Sequence, residues 1–132
     1  MQKFQKINLL VLNIFLLSIQ VLATNWYVDK NATGGTYNGQ SWGTAWRSFS
    51  AINWGSIQPG DVIYVSGGTN STIYYEELSI GKSGTAVNPI TIIAGKYSPS
   101  PTGHSGRVII DGGNGTRAQS IYVNNKNYIT IK

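Results

Sequence analysis

Apolar positions along this chain come in short bursts set between turns. The bursts are Asp61-Val62-Ile63-Tyr64-Val65, Leu78-Ser79-Ile80, Ile90-Thr91-Ile92-Ile93-Ala94, Val108-Ile109-Ile110, Ser120-Ile121-Tyr122-Val123 and Tyr128-Ile129-Thr130-Ile131. Each is rich in β-prone residues. They are separated by turn formers such as Pro59-Gly60, Gly67-Gly68, Asn88-Pro89 and Gly112-Gly113, and so read as strands. A strand with one wet face alternates apolar and polar residues, and hairpins favour tight two-residue turns. Residues 90–93 and 108–110 do not alternate cleanly, and the connections are irregular. Such strands fit a parallel arrangement in which inward side chains stack on equivalent residues of the neighbouring turn. The segments around Ile63, Leu78, Ile92, Ile109 and Ile121 are therefore expected to lie in register over one another. With three strands per coil the bursts make about two coils. One coil cannot bury its own inner face, so the next coil supplies the cover. Each isoleucine buried this way contributes ~1.5–3 kcal/mol relative to an exposed one.

One stretch departs from this rhythm. In SWGTAWRSFSAINWGSIQPGD the large apolar residues Trp42, Trp46, Phe49 and Ile52 recur at helical spacing. The spacing predicts a short amphipathic helix over residues 44–53, with Ser41 as N-cap and Gly55 near its end. Its apolar face would cap the core. Gln58-Pro59-Gly60-Asp61 then turns into the first strong strand.

The N-terminus changes the picture of where the protein works. Lys3 and Lys6 precede a mostly apolar run from Ile7 to Ala23, which ends in Val21-Leu22-Ala23. This is the pattern of a secretory signal peptide cleaved between Ala23 and Thr24. The run is broken by Asn8, Asn13, Ser18 and Gln20, and falls short of the ~20 apolar residues that span a bilayer comfortably. Residues 1–23 are thus read as a leader, and a secreted or cell-surface location follows, with no membrane association after cleavage. The formal charge of +5 drops to +3 on losing Lys3 and Lys6. That excess is too diffuse for nucleic-acid binding, which needs a basic stripe. With no cysteine, the exported chain must be held by burial and hydrogen bonding alone.

Candidate chemistry is sparse. After the leader the carboxylates are Asp29, Asp61, Glu76, Glu77 and Asp111, scattered along the chain. Neighbouring Glu76 and Glu77 point to opposite faces of an extended segment, so no clustered metal site is expected. Asp61 after Pro59-Gly60 and Asp111 before Gly112-Gly113 have the chemistry of turn residues whose carboxylates accept backbone N–H groups. Asp29 reads the same way. His104, the single histidine, lies in the Pro/Gly/Ser loop SPSPTGHSGR without a partner pattern, and is expected in solvent. Lys82, Arg107 and Lys126 could each serve as a general base, but nothing local singles one out. The catalytic and substrate-binding residues are therefore unassigned. Trp26 and Trp54 are open between core and sugar stacking, and Tyr74-Tyr75 places one ring inward and one outward.

An ordered set of motifs does carry a resemblance. It runs from WYVDKNATGG through NGQSWGTAWRSFSAIN, IQPGDVIYVSGGT and YYEELSIGKSGTAVNPITIIAG to RVIIDGG and NYITIK. In this order, over nearly all of residues 26–132, the chain resembles the N-terminal region of exported right-handed parallel β-helix proteins. These belong to the pectate-lyase-like superfamily, which includes polysaccharide lyases. The resemblance implies an all-β chain: a cap segment over residues 24–60, then the first coils of a β-helix over residues 61–132, truncated. It also implies a parent protein that acts on acidic polysaccharide by lyase-type β-elimination, with calcium in the parent and no cofactor in this chain. The catalytic coils would lie beyond Lys132, leaving this chain inactive alone. A non-catalytic β-helix adhesin or glycan-binding scaffold is the second expectation, and a complete small β-sandwich module the third.

Overall fold

The structure, a computed structural model, describes residues 22–112 and 119–132. Residues 1–21 and 113–118 lie outside the described residues, so of the expected leader only Leu22 and Ala23 are described. Eight strands form: β1 (Asn25–Val28), β2 (Val62–Val65), β3 (Ser71–Tyr74), β4 (Leu78–Ser79), β5 (Ile90–Ala94), β6 (Arg107–Ile110), β7 (Ile121–Tyr122) and β8 (Ile129–Ile131). They build a four-stranded sheet in the order β1-β2-β5-β8 and two two-stranded sheets, β3-β6 and β4-β7. Every strand pair among the described residues is parallel. From β2 onward the chain visits the three sheets in a fixed order, repeats that order through β5, β6 and β7, and returns to the first sheet with β8.

The register explains why the apolar bursts are dense. Trp26 lies beside Ile63, Ile63 beside Ile92, and Ile92 beside Ile131. A second column runs Val28, Val65, Ala94. Ile63 and Val28 are fully shielded, and the shielding lessens down the stack until Ile131 is 44% exposed. Leu78 pairs with Ile121, and Ile73 with Ile109. On the outer side of the large sheet Tyr27 and Tyr64 stack with ring centroids 5.7 Å apart. Among the described residues no helix is long and apolar enough to cross a membrane.

The helix expected over residues 44–53 does not form. Only a three-residue 3₁₀ turn, Phe49–Ala51, is helical there, capped by Ser48, whose hydroxyl accepts the Ala51 N–H. The cause is competition for backbone groups. The free edge of β1 needs partners, and the tryptophan segment supplies them. Tyr27 N–H donates to the Gly39 carbonyl, Trp46 N–H to the Tyr27 carbonyl, and Asp29 N–H to the Trp46 carbonyl. Trp46 thereby bridges Val28 in a parallel sense. Farther on, the N–H groups of Phe49 and Ser50 are taken by the Glu76 carboxylate, at 3.0 and 3.3 Å. Ser41 caps a local turn instead, accepting from Thr44 N–H.

The capping side chains still cover the core, with one exception. Trp46 stacks on Trp26 at 5.1 Å, and Phe49 on Tyr74 at 4.7 Å. Trp46, Phe49 and Ile52 belong to the main buried cluster. Trp42 is half-buried outside it. Trp26 lies in the core and Trp54 packs against it. Tyr74 is buried and Tyr75 is 60% exposed.

Candidate functional site

The described residues bring together one group of polar side chains that the sequence gives no hint of. Asp29 follows β1, Ser66 follows β2, and His104 comes from the loop before β6. The His104 Nδ1 lies 3.0 Å from the Ser66 Oγ and 3.3 Å from the Asp29 Oδ2. The Trp42 indole stacks on the imidazole with centroids 3.9 Å apart and planes 9° from parallel. Trp42 is itself anchored by its indole N–H to the Ser100 carbonyl at 2.9 Å. His104 is thus held between an aromatic face and the ends of two neighbouring strands, and is not a freely solvated loop residue.

Each member has a local reason to be where it is. Asp29 closes a short turn, its Oδ1 accepting the Asn31 N–H at 3.0 Å, which leaves Oδ2 for the histidine. Ser66 is fully buried. Its hydroxyl accepts the Gly68 N–H, and its carbonyl accepts the Tyr74 hydroxyl at 2.8 Å. The His104 carbonyl receives the Gly67 N–H at 3.0 Å. Gly67 and Gly106 approach so closely that a side chain on Gly67 would run into the Gly106 backbone.

These contacts limit the chemistry. A Ser-His-Asp hydrolytic site needs the serine on one imidazole nitrogen and the carboxylate on the other. Here both sit on Nδ1, and the hydroxyl is buried. A proton on Nδ1 satisfies the carboxylate, which can only accept, so the neutral imidazole keeps Nε2 as its acceptor. Burial pulls the His104 pKa below its ordinary value, and the Asp29 charge opposes that pull without overcoming it. The group can take up one proton, on Nε2. It holds no poised nucleophile.

The other sequence-derived candidates stay apart. Asp61 is buried and accepts three N–H groups, from Gln58, Thr24 and the Trp26 indole. Asp111 is exposed, and its N–H donates to the Tyr74 carbonyl. Ala23 and Thr24 are both exposed. Glu76 is engaged with Phe49 and Ser50, while the Glu77 Oε1 accepts the Ser79 hydroxyl at 3.0 Å. Arg107 is exposed, and Lys82 and Lys126 are partly exposed. These carboxylates do not fit a calcium site, which takes six to eight oxygens at one point. No group of three or more metal-capable acidic, histidine or cysteine side chains occurs among the described residues.

An apolar cavity of about 490 Å³ opens between the sheets near the lower strands, bordered by Val65, Leu78, Ile92, Val108, Ile110 and Ile131. Comparison with protein-family models, with curated proteins and with solved structures returned no match.

Proposed function

We infer that this chain is the N-terminal part of a secreted right-handed parallel β-helix protein that acts on acidic polysaccharide, by lyase-type cleavage in its full-length form. The observation that carries this reading is the repeated sheet order, with every pair parallel and Ile63, Ile92 and Ile131 aligned. A coil that returns to the same sheet through two others is the repeating unit of a β-helix. Parallel crossovers are right-handed in about 98% of cases, which supports the hand. The motif order from Tyr27-Val28-Asp29 to Ile109-Ile110-Asp111 supports the family. Fold does not imply chemistry, so the polysaccharide substrate rests on the family resemblance.

On this reading the cutting residues, and any calcium, belong to coils other than these. Here the histidine is tied up at Nδ1 and the carboxylates are dispersed. Residues 24–132 assayed on pectate and alginate should give no unsaturated product, whereas the protein extended by the coding sequence past Lys132 should give it. Unsaturated ends from residues 24–132 alone would overturn the assignment of the chemistry to other coils.

A glycan-binding scaffold without catalysis is the second reading. It is favoured by Tyr75, Tyr97 and Tyr128, each more than half exposed, with the Lys96 ammonium 4.7 Å from the Tyr97 ring and that of Lys30 5.9 Å from the Tyr75 ring. Aromatic faces beside ammonium groups suit a uronate chain. An extended protein that retains oligouronates on an affinity gel but never cuts them would select this reading.

A further inference from the structure

Asp61 is 1% exposed, and among the described residues no lysine, arginine or histidine side chain pairs with it. The Asp61 carboxylate is met by three N–H donors at 2.8 Å: the Trp26 indole and Gln58 backbone on Oδ2, and the Thr24 backbone on Oδ1. A buried carboxylate ordinarily carries a counter-charge. One of these donors changes character if the leader is removed. Hydrolysis of the Ala23–Thr24 bond consumes one water, releases Ala23 as a carboxylate, and leaves the Thr24 nitrogen as an ammonium.

The surroundings suit that event. Leu22 is 88% exposed, and Leu22 and Ala23 lie outside any strand. Thr24 is held from both sides, its N–H on Asp61 and its carbonyl accepting the Val62 N–H at 3.0 Å. We propose that Asp61 is the receptor for the α-ammonium of Thr24, so that leader removal creates a charge pair pinning the start of β1 to the turn before β2. The proposal rests on the secretory reading for its cleavage point. A hydrogen bond between ionised partners is roughly twice as strong as a neutral one. The mature chain is therefore more stable than the same fold with the leader attached, and cleavage one residue to either side loses the gain.

The test uses the exported, processed protein. N-terminal sequencing should read Thr24 first. Acetylating the α-amine keeps an N–H donor but removes the charge, and should lower the thermal midpoint by about 5–10 °C. In Asp61→Asn the same acetylation should shift nothing. Should that variant fail to fold, the rate of α-amine acetylation in the unaltered protein decides, with the native state expected to react about tenfold more slowly than the urea-unfolded one. Failure of export would remove the secretory reading and the proposal together. Export with Thr24 first, but with no change of midpoint on acetylation or equal reaction rates, would overturn the charge pair and leave secretion standing.

Discussion

The side chain of Ile63 offers the most direct measure of what holds the stack together. It is fully shielded, with Trp26 and Ile92 as its register neighbours. Ile→Ala in a core costs about 2–5 kcal/mol, and the cost is largest where the surroundings cannot collapse into the cavity. Here β2 is hydrogen-bonded on both edges, to β1 and β5, so inward movement would break ladders on either side. Ile63→Ala should therefore lie in the upper part of that range, about 3–5 kcal/mol. Ile131→Ala, in the same column but 44% exposed, should cost only about 0.8–1.7 kcal/mol by area reasoning. Urea unfolding followed by tryptophan fluorescence separates the two. At slopes of about 1–3 kcal/mol per molar, Ile63→Ala should lower the midpoint by more than about 1 M, and Ile131→Ala by roughly half that shift or less. Equal losses, or a loss below about 1 kcal/mol for Ile63→Ala, would show that the aligned column is not the principal source of stability.

Further outcomes follow from the polar contacts. Burial favours neutral His104, so its contribution to stability is present above about pH 6.5 and is lost as pH falls through its depressed folded pKa. His104→Gln should flatten the acid limb of a stability–pH profile measured by thermal melts. Burial, aided by the Asp29 and Glu76 charges, holds the Tyr74 pKa well above its ordinary value of 10.0. Its stabilisation is therefore complete below about pH 10 and fades as pH rises further. Tyr74→Phe should cost about 0.5–1.5 kcal/mol at neutral pH through the lost bond to Ser66 and make the alkaline limb shallower; Tyr64, also raised by burial, leaves part of it. Trp42→Ala should remove the ring-current shift of the His104 imidazole protons in NMR and cost about 0.5–1.5 kcal/mol from the lost stacking alone, on top of the lost apolar burial. Gly67→Ala should prevent folding to the native state, seen as loss of cooperative melting, because the added methyl meets the Gly106 backbone.

The strands were legible where apolar residues are dense and hidden where they are not. Ile90–Ala94 and Arg107–Ile110 announce themselves by composition. In β3, Ser71-Thr72-Ile73-Tyr74, the inward residues are Thr72 and Tyr74, both buried. Two hydroxyl-bearing residues carry that inner face, so an apolar count passes over it. β1 was overlooked for a related reason, since its inward pair is Trp26 and Val28 set between Asn25 and Tyr27. The helix expectation failed because spacing reports which side chains face inward, and Trp46, Phe49 and Ile52 do so. It does not report that the backbone there is claimed by β1 and Glu76. The histidine cluster was illegible because Asp29, Ser66 and His104 meet only through the register of β1 on β2 and the fold of the loop before β6.

The step from Ile63 to Ile92 is shorter than that from Ile92 to Ile131, and Leu78 to Ile121 is longer still, yet every pairing is kept. Corner length and rung alignment are thus decoupled. A lineage built this way can lengthen, trim or redecorate its corners freely, while a single residue added within a rung would turn its oily face to water. Novelty should accumulate at the corners, and the rungs should change slowest.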